Sequence, residues 1–143
     1  MFEVSVDEMF SAGHALRGYK GKCENPHGHN YKVRLVLEGP DLNSIGLLYD
    51  FVDVKKILRS IIEGLDHKFL NDQPPFDKIN PSAENLAKYF YEETLRGMKE
   101  IGAGSNRGTP SGKSENSSNS NGIPGIASVT VWETDFTFAT FRP

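Results

Sequence analysis

The stretch His27-Gly28-His29-Asn30-Tyr31-Lys32-Val33-Arg34-Leu35-Val36-Leu37-Glu38 decides the fold. Its odd positions, His27, His29, Tyr31, Val33, Leu35 and Leu37, form the less polar set, with Asn30, Lys32, Arg34 and Glu38 between them. An interval of two is the side-chain period of a strand with one buried face. Both histidines stand at one end of that face. The chain before it has the same period, since Phe2, Val4, Val6, Phe10 and Ala12 are apolar on even positions and Glu3, Ser5 and Asp7 are polar on odd ones. His14 falls on the even register. A hairpin connection over Ala15 to Pro26 folds the second strand back on the first and brings His14 beside His27 and His29.

Further along, Phe51, Val54, Ile57, Leu58, Ile61, Ile62 and Leu65 recur at threes and fours, the stripe of a helix with Asp50 as N-cap and Gly64 near its stop. A second helix is expected from Ser82, which can cap it, through Leu86, Ala87, Phe90 and Leu95 to about Lys99. Ile126–Trp132 and Phe136–Phe141 read as two strands joined by a tight Glu133-Thr134-Asp135 turn. The order is strand, strand, helix, helix, strand, strand. Hairpins imply antiparallel pairing, and two amphipathic helices need one sheet face to cover, so the class is α+β with both helices on one side of a four-stranded antiparallel sheet.

With 143 residues, the chain fits a single domain spanning 1–143. Residues 102 to 125, rich in Gly, Ser, Asn and Pro around Ser114-Glu115-Asn116-Ser117-Ser118-Asn119-Ser120-Asn121, read as a low-complexity surface insertion with too little apolar surface to offset its ordering entropy. A hydrophobic share of 37% and a charged share of 24% suit a soluble globular protein, and no apolar run approaches the roughly 18–20 residues of a membrane span. Met1 to Phe10 alternates acidic and apolar residues and so lacks the pattern of a secretory signal; the compartment expected is the cytoplasm. A net charge of −3 gives no general field for nucleic acid or an anionic membrane. With one cysteine, Cys23, no intrachain disulfide is possible.

The chemistry concentrates in Cys23-Glu24-Asn25-Pro26-His27-Gly28-His29. Residues two apart on a strand point the same way, about 7 Å apart at the backbone, so His27 and His29 can converge on one metal ion. An isolated His-x-His is more often a pair of ordinary hydrogen-bonded rings, but His14, Gly28 and Cys23 around it favour a metal. Three neutral imidazoles with one open position are the pattern of a catalytic zinc. Cys23 has three readings: a fourth ligand that closes the site and makes it structural, a thiol outside the coordination sphere that serves as a base, or a small buried residue. Asp66-His67, just after the first helix, is either a turn or a pair in which the carboxylate sets the imidazole tautomer for proton relay. Glu133 ends a strand on the register of Val129 and Val131, so its carboxylate either sits at the sheet rim or reaches into a pocket to accept paired N–H bonds.

Taken in order, Phe10-Ser11-Ala12-Gly13-His14-Ala15-Leu16, Cys23-x-x-x-His27-Gly28-His29-Asn30-Tyr31, Leu65-Asp66-His67-x-x-Leu70-Asn71, Pro81-Ser82-Ala83-Glu84-Asn85 and Val131-Trp132-Glu133-Thr134 resemble the 6-pyruvoyltetrahydropterin synthase and 6-carboxytetrahydropterin synthase family. All 4 histidines and the sole cysteine fall on motif positions. The resemblance implies a T-fold whose subunits assemble through their sheets, giving a homohexamer of two trimers with sites shared between chains. It implies Zn2+ held by His14, His27 and His29, and a small-molecule pterin substrate, 7,8-dihydroneopterin triphosphate, anchored by Glu133. Ser82 and Ala83 occupy positions where the family often contacts the pterin through hydroxyls; Ala83 has none to offer. The resemblance makes Cys23 the proton-transfer group, with Asp66 and His67 as its relay partners, and zinc the Lewis acid that polarises the side-chain hydroxyls. Arg17, Lys20 and Lys22 are candidates for the triphosphate.

The three-residue gap between Cys23 and His27 resembles the 6-carboxytetrahydropterin synthases of queuosine biosynthesis more than the 6-pyruvoyl-forming enzymes. Glu24 stands where it could support the folate-pathway cleavage to 6-hydroxymethyl-7,8-dihydropterin found in a related branch. The expected activity is therefore a lyase that eliminates triphosphate and forms 6-carboxy-5,6,7,8-tetrahydropterin. The alternatives are 6-pyruvoyl formation, the Glu24-dependent cleavage, both activities together, or a non-catalytic zinc protein closed by Cys23. A GTP cyclohydrolase or dihydroneopterin aldolase of the same fold would share Glu133 but not the cysteine and Asp-His groups.

Overall fold

A computed structural model describes residues 1–104 and 124–143. Its elements are β1 (Phe2–His14), β2 (His27–Gly39), α1 (Phe51–Glu63), α2 (Ala83–Gly104), β3 (Gly125–Trp132) and β4 (Phe138–Phe141), with single 3-10 turns at Lys22–Glu24 and Leu70–Asp72. The strands form one antiparallel sheet in the order β1-β2-β3-β4. This is the α+β order anticipated from the residue periods, and it agrees with the T-fold that the resemblance implies.

The period of two sorts the sheet into unlike faces. Val6, Phe10 and Ala12 of β1, Tyr31, Val33, Leu35 and Leu37 of β2, and Val129 and Val131 of β3 are buried with Val54, Leu58 and Ile62 of α1 and Leu86, Phe90 and Met98 of α2. Fully burying one of these side chains contributes about 1.5–3 kcal/mol, so a one-residue slip in register would turn most of the driving force outward. Among the described residues, the opposite face has no helix over it. There Met9 and Phe138 are exposed, Arg34 forks onto the Asp7 carboxylate at 2.7 and 2.8 Å, and the Lys32 ammonium lies 4.1 Å from the centre of the Trp132 ring.

The helix ends follow their caps. Asp50 accepts from the Val52 amide at 2.8 Å, and Ser82 accepts from the Asn85 amide at 3.2 Å. Among the boundaries that differ from expectation, two have a clear physical reason. α2 continues past Lys99 to Gly104, extending an apolar stripe in which Met98 is buried and Ile101 packs on the core. β4 begins at Phe138 rather than Phe136, because the Thr134 hydroxyl accepts from the amides of Phe136 and Thr137 and makes 133–137 a wider loop closed by the Glu133 amide on the Thr137 carbonyl. The ends of the expected 102–125 insertion belong to α2 and β3; its remaining residues, 105–123, lie outside those described. Among the described residues no helix is long and apolar enough to cross a membrane.

Candidate metal centre

Strand register builds the site. His14, the last residue of β1, is paired with His27, the first of β2, and Ala12 is paired with His29. The two-residue alternation sends all three rings to the helix side of the sheet. Each can offer a nitrogen within 4.8 Å of the other two, and among the described residues they form the one group of three or more His, Cys, Asp or Glu so placed. The rings meet edge to face, with centroids 4.5, 5.0 and 4.9 Å apart.

Hydrogen bonding fixes which nitrogens are free. Nδ1 of His14 lies 2.7 Å from the Pro81 carbonyl oxygen, and Nδ1 of His27 lies 2.7 Å from that of Asn25. A carbonyl only accepts, so each Nδ1 must carry the hydrogen, which leaves the lone pair on Nε2. Those two Nε2 atoms face each other at 2.9 Å. His29 Nε2 is buried with no hydrogen-bond partner among the described residues. Neutral rings so arranged point unshared electron pairs at a common place, which is unfavourable unless a proton or a cation sits among them. A proton on His14 or His29 is disfavoured. Burial holds His14 below its ordinary 6.5 against the opposing pull of its Pro81 bond, and burial with the neighbouring rings holds His29 below the same value. The residues therefore fit a divalent cation, and three imidazoles suit zinc, copper, iron or nickel. The Glu133 carboxylate, 3.9 Å from His14 Nε2, adds negative charge at the rim.

The other anticipated residues fall into two sets. Glu133 reaches the histidines from the end of β3 within the same chain. Cys23, half-buried in the turn between β1 and β2, is a free thiol outside the three-residue group. Glu24 is exposed in the same turn. Asp66 and His67 lie along the outer edge of β1: Asp66 Oδ1 accepts from the Ser11 amide at 2.9 Å and the His67 amide donates to the Ser11 carbonyl at 2.6 Å. The Ser11 bond, and then His67, hold the Asp66 carboxyl below its usual range. The His67 ring, Nδ1 at 3.0 Å from Asp66 Oδ2, is 81% exposed and has no hydrogen bond to Cys23 among the described residues. It borders an open cleft of about 520 Å³ with His29, Asn30, Gly28 and Lys68. Ser82 spends its hydroxyl on the α2 cap, and Ala83 is buried.

Arg17 requires a correction. Its guanidinium donates to the carbonyls of Phe76 at 2.7 Å and of Asn71 and Ile79 at 3.3 Å each, so it is committed to the protein rather than free for a triphosphate. Lys20 and Lys22 are exposed. Sequence reasoning missed Pro81, whose contribution is a backbone oxygen and so leaves no trace in residue type. It also missed the Tyr31 hydroxyl, which is buried beside His29 and His14 without a partner among the described residues.

The family model described as 6-pyruvoyl tetrahydropterin synthase matches residues 3–143. The chain belongs to the 6-pyruvoyl tetrahydropterin synthase family. Within this family it is similar to the Haemophilus influenzae 6-carboxy-5,6,7,8-tetrahydropterin synthase, 40% identical over 78 residues that cover 51% of this chain and 55% of that protein. The human 6-pyruvoyl tetrahydrobiopterin synthase is 40% identical over 104 residues, 63% of this chain and 72% of that protein. The solved Caenorhabditis elegans 6-pyruvoyl tetrahydropterin synthase superposes with a TM-score of 0.75 at 23% identity, covering 99% of this chain and 95% of that one. The Plasmodium vivax enzyme gives 0.70 at 20% identity, covering 99% and 97%. At these identities the two structures speak for the fold alone. Family membership supports an enzyme of the tetrahydropterin synthase type.

Proposed function

We propose that the chain is a zinc-dependent lyase that takes 7,8-dihydroneopterin triphosphate and one water, eliminates triphosphate and forms 6-carboxy-5,6,7,8-tetrahydropterin with loss of acetaldehyde. The observation that carries the reading is the convergence of three imidazole nitrogens with no cysteine closing the group. A ligand set of three leaves room for substrate, which counts against the inert structural zinc closed by Cys23. His14, His27 and His29 would hold the ion, which when bound supplies Lewis-acid polarisation of substrate hydroxyls.

The protein's own groups divide the remaining work. Glu133, at the rim, would accept paired N–H bonds from the pterin and orient its side chain toward the imidazoles. Cys23, in the turn that leads into His27, would move the proton on the substrate side chain. His67, with its tautomer set by Asp66, would take that proton on or return it. Because its ring faces solvent along β1, the relay with Cys23 is best served by a second copy of the chain. The uncovered sheet face, with Met9 at 64% and Phe138 at 59% exposure, supports the proposal of a homohexamer of two trimers with shared sites.

The choice of product rests on the short spacer from Cys23 to His27, since relatives bearing either product's name lie at similar identity. A second reading is favoured by Glu24, an exposed carboxylate in the same turn as Cys23. It would support cleavage to 6-hydroxymethyl-7,8-dihydropterin, alone or beside the first activity. Incubating the zinc-loaded protein with dihydroneopterin triphosphate and resolving the pterins tests both. A 6-carboxy product with acetaldehyde is expected; a 6-hydroxymethyl product alone would overturn the primary assignment in favour of the second.

A further inference from the structure

We infer that Arg17 is a positioning residue for the metal centre, acting through the Pro81 carbonyl on the His14 imidazole. The inference rests on the three histidines being a metal site. His14 is turned by a single bond, from Nδ1 to the Pro81 oxygen at 2.7 Å. Proline has no amide hydrogen, so Pro81 cannot fix itself by donating a backbone bond. Its place depends on the segment around it, which between Asp72 and Ala83 has no helix or strand.

That segment is tied to residues 15–17, the continuation of the strand that ends in His14. The Asn71 side chain accepts from the Ala15 amide at 2.9 Å and donates to the Ala15 carbonyl at 2.8 Å. Asn80 repeats the pattern on Arg17, accepting from its amide and donating to its carbonyl at 2.9 Å each. The Asn80 carbonyl, one residue before Pro81, is held by Asn85 Nδ2 at 2.8 Å. The Arg17 guanidinium then gathers the carbonyls of Asn71, Phe76 and Ile79. Three carbonyl dipoles aimed at one place repel each other. A planar cation with several fixed donors reverses the sign, which a neutral side chain cannot do and a single ammonium does less well. Arg17 thus references both ends of the His14–Pro81 bond to one short piece of chain. Groups that orient a ligating imidazole change metal affinity without touching the metal.

The test measures Zn2+ affinity of the full chain by competition with a chromophoric chelator, alongside thermal unfolding with and without zinc. Arg17→Met and Arg17→Lys are compared with Arg34→Met, which removes an ion pair on the opposite sheet face. Both Arg17 variants are expected to bind zinc about tenfold more weakly, with a smaller zinc-induced rise in Tm, while Arg34→Met binds as the unaltered chain does. A purely structural staple would lower Tm with and without zinc alike and leave the affinity unchanged, and that result overturns the inference. So does a raised KM for the triphosphate substrate at unchanged zinc affinity, or full affinity in Arg17→Lys. If Arg17→Met does not fold, Arg17→Lys decides alone. No zinc uptake by the unaltered chain overturns the metal reading and this inference with it, whereas equal uptake by all chains overturns this inference only.

Discussion

Nε2 of His14 and Nε2 of His27 stand 2.9 Å apart, each on a ring whose other nitrogen is already given to a backbone carbonyl. Two lone pairs do not approach this closely without something positive near them. Replacing either histidine with alanine is expected to lower zinc affinity by at least a hundredfold, and the same loss is expected for His29→Ala. Titration of each variant with zinc under a competing chelator checks this.

Cys23 lies outside the imidazole group, so removing its sulfur leaves the three imidazoles in place. Cys23→Ala is expected to keep zinc at the level of the unaltered protein and to lose turnover by roughly 10²–10⁴-fold, the usual worth of a positioned proton-transfer group. Metal analysis and product formation measured on the same sample separate the two effects. Loss of zinc with the sulfur would restore the closed structural site.

Stability of the metal-free chain should fall as pH drops below about 6.5. The fold holds His14 and His29 below that ordinary value, chiefly by burial, so the unfolded chain takes up protons first and is favoured as the medium becomes acid. Above 6.5 these two rings contribute no slope. A separate loss belongs to Asp7, whose carboxyl the Arg34 bond holds below 3.8; its contribution is whole above that value and fades as pH falls through the lower, folded-state value. Denaturant unfolding of chelator-treated protein between pH 8 and pH 5 should show the histidine slope, and bound zinc should steepen it because protons and metal compete for the same nitrogens.

Tyr31→Phe should stabilise the substrate-free protein by about 1 kcal/mol. The hydroxyl is buried without a partner among the described residues, and an unmet buried donor costs about 1–3 kcal/mol, while the ring's stacking on Phe10 at 4.8 Å is kept. Urea midpoints compare the two chains. A loss of stability would mean that the hydroxyl is in fact bonded, to water or to a group at the site.

The residue periods made most of this legible. The interval of two placed His14, His27 and His29 on one face, and a hairpin between them fixed their pairing, so the grouping of the three imidazoles followed from local pattern alone. The helices followed from their stripes and from Asp50 and Ser82. What escaped was long-range or carried by the backbone. The Pro81 oxygen orients His14 from 67 positions away, and nothing in the identity of a proline announces it. Arg17 read as a free cation beside two lysines because its three carbonyl partners become neighbours only once residues 71–79 fold over it. Phe136 extended the apolar pattern of the last strand, yet it is 91% exposed, because the Thr134 hydroxyl organises the loop there.

β1 is an edge strand, and its outer side is not uniform. Beside the imidazoles its polar groups are already taken, the Ser11 amide and carbonyl by Asp66 and His67 and the Gly13 amide by the Lys68 carbonyl. From Glu3 to Met9 the same side has no strand partner among the described residues. Foreign backbone can therefore zip onto this rim along its first half and meets residues 66–68 before the imidazoles, so the chain carries its own doorstop against β-aggregation reaching the histidine end.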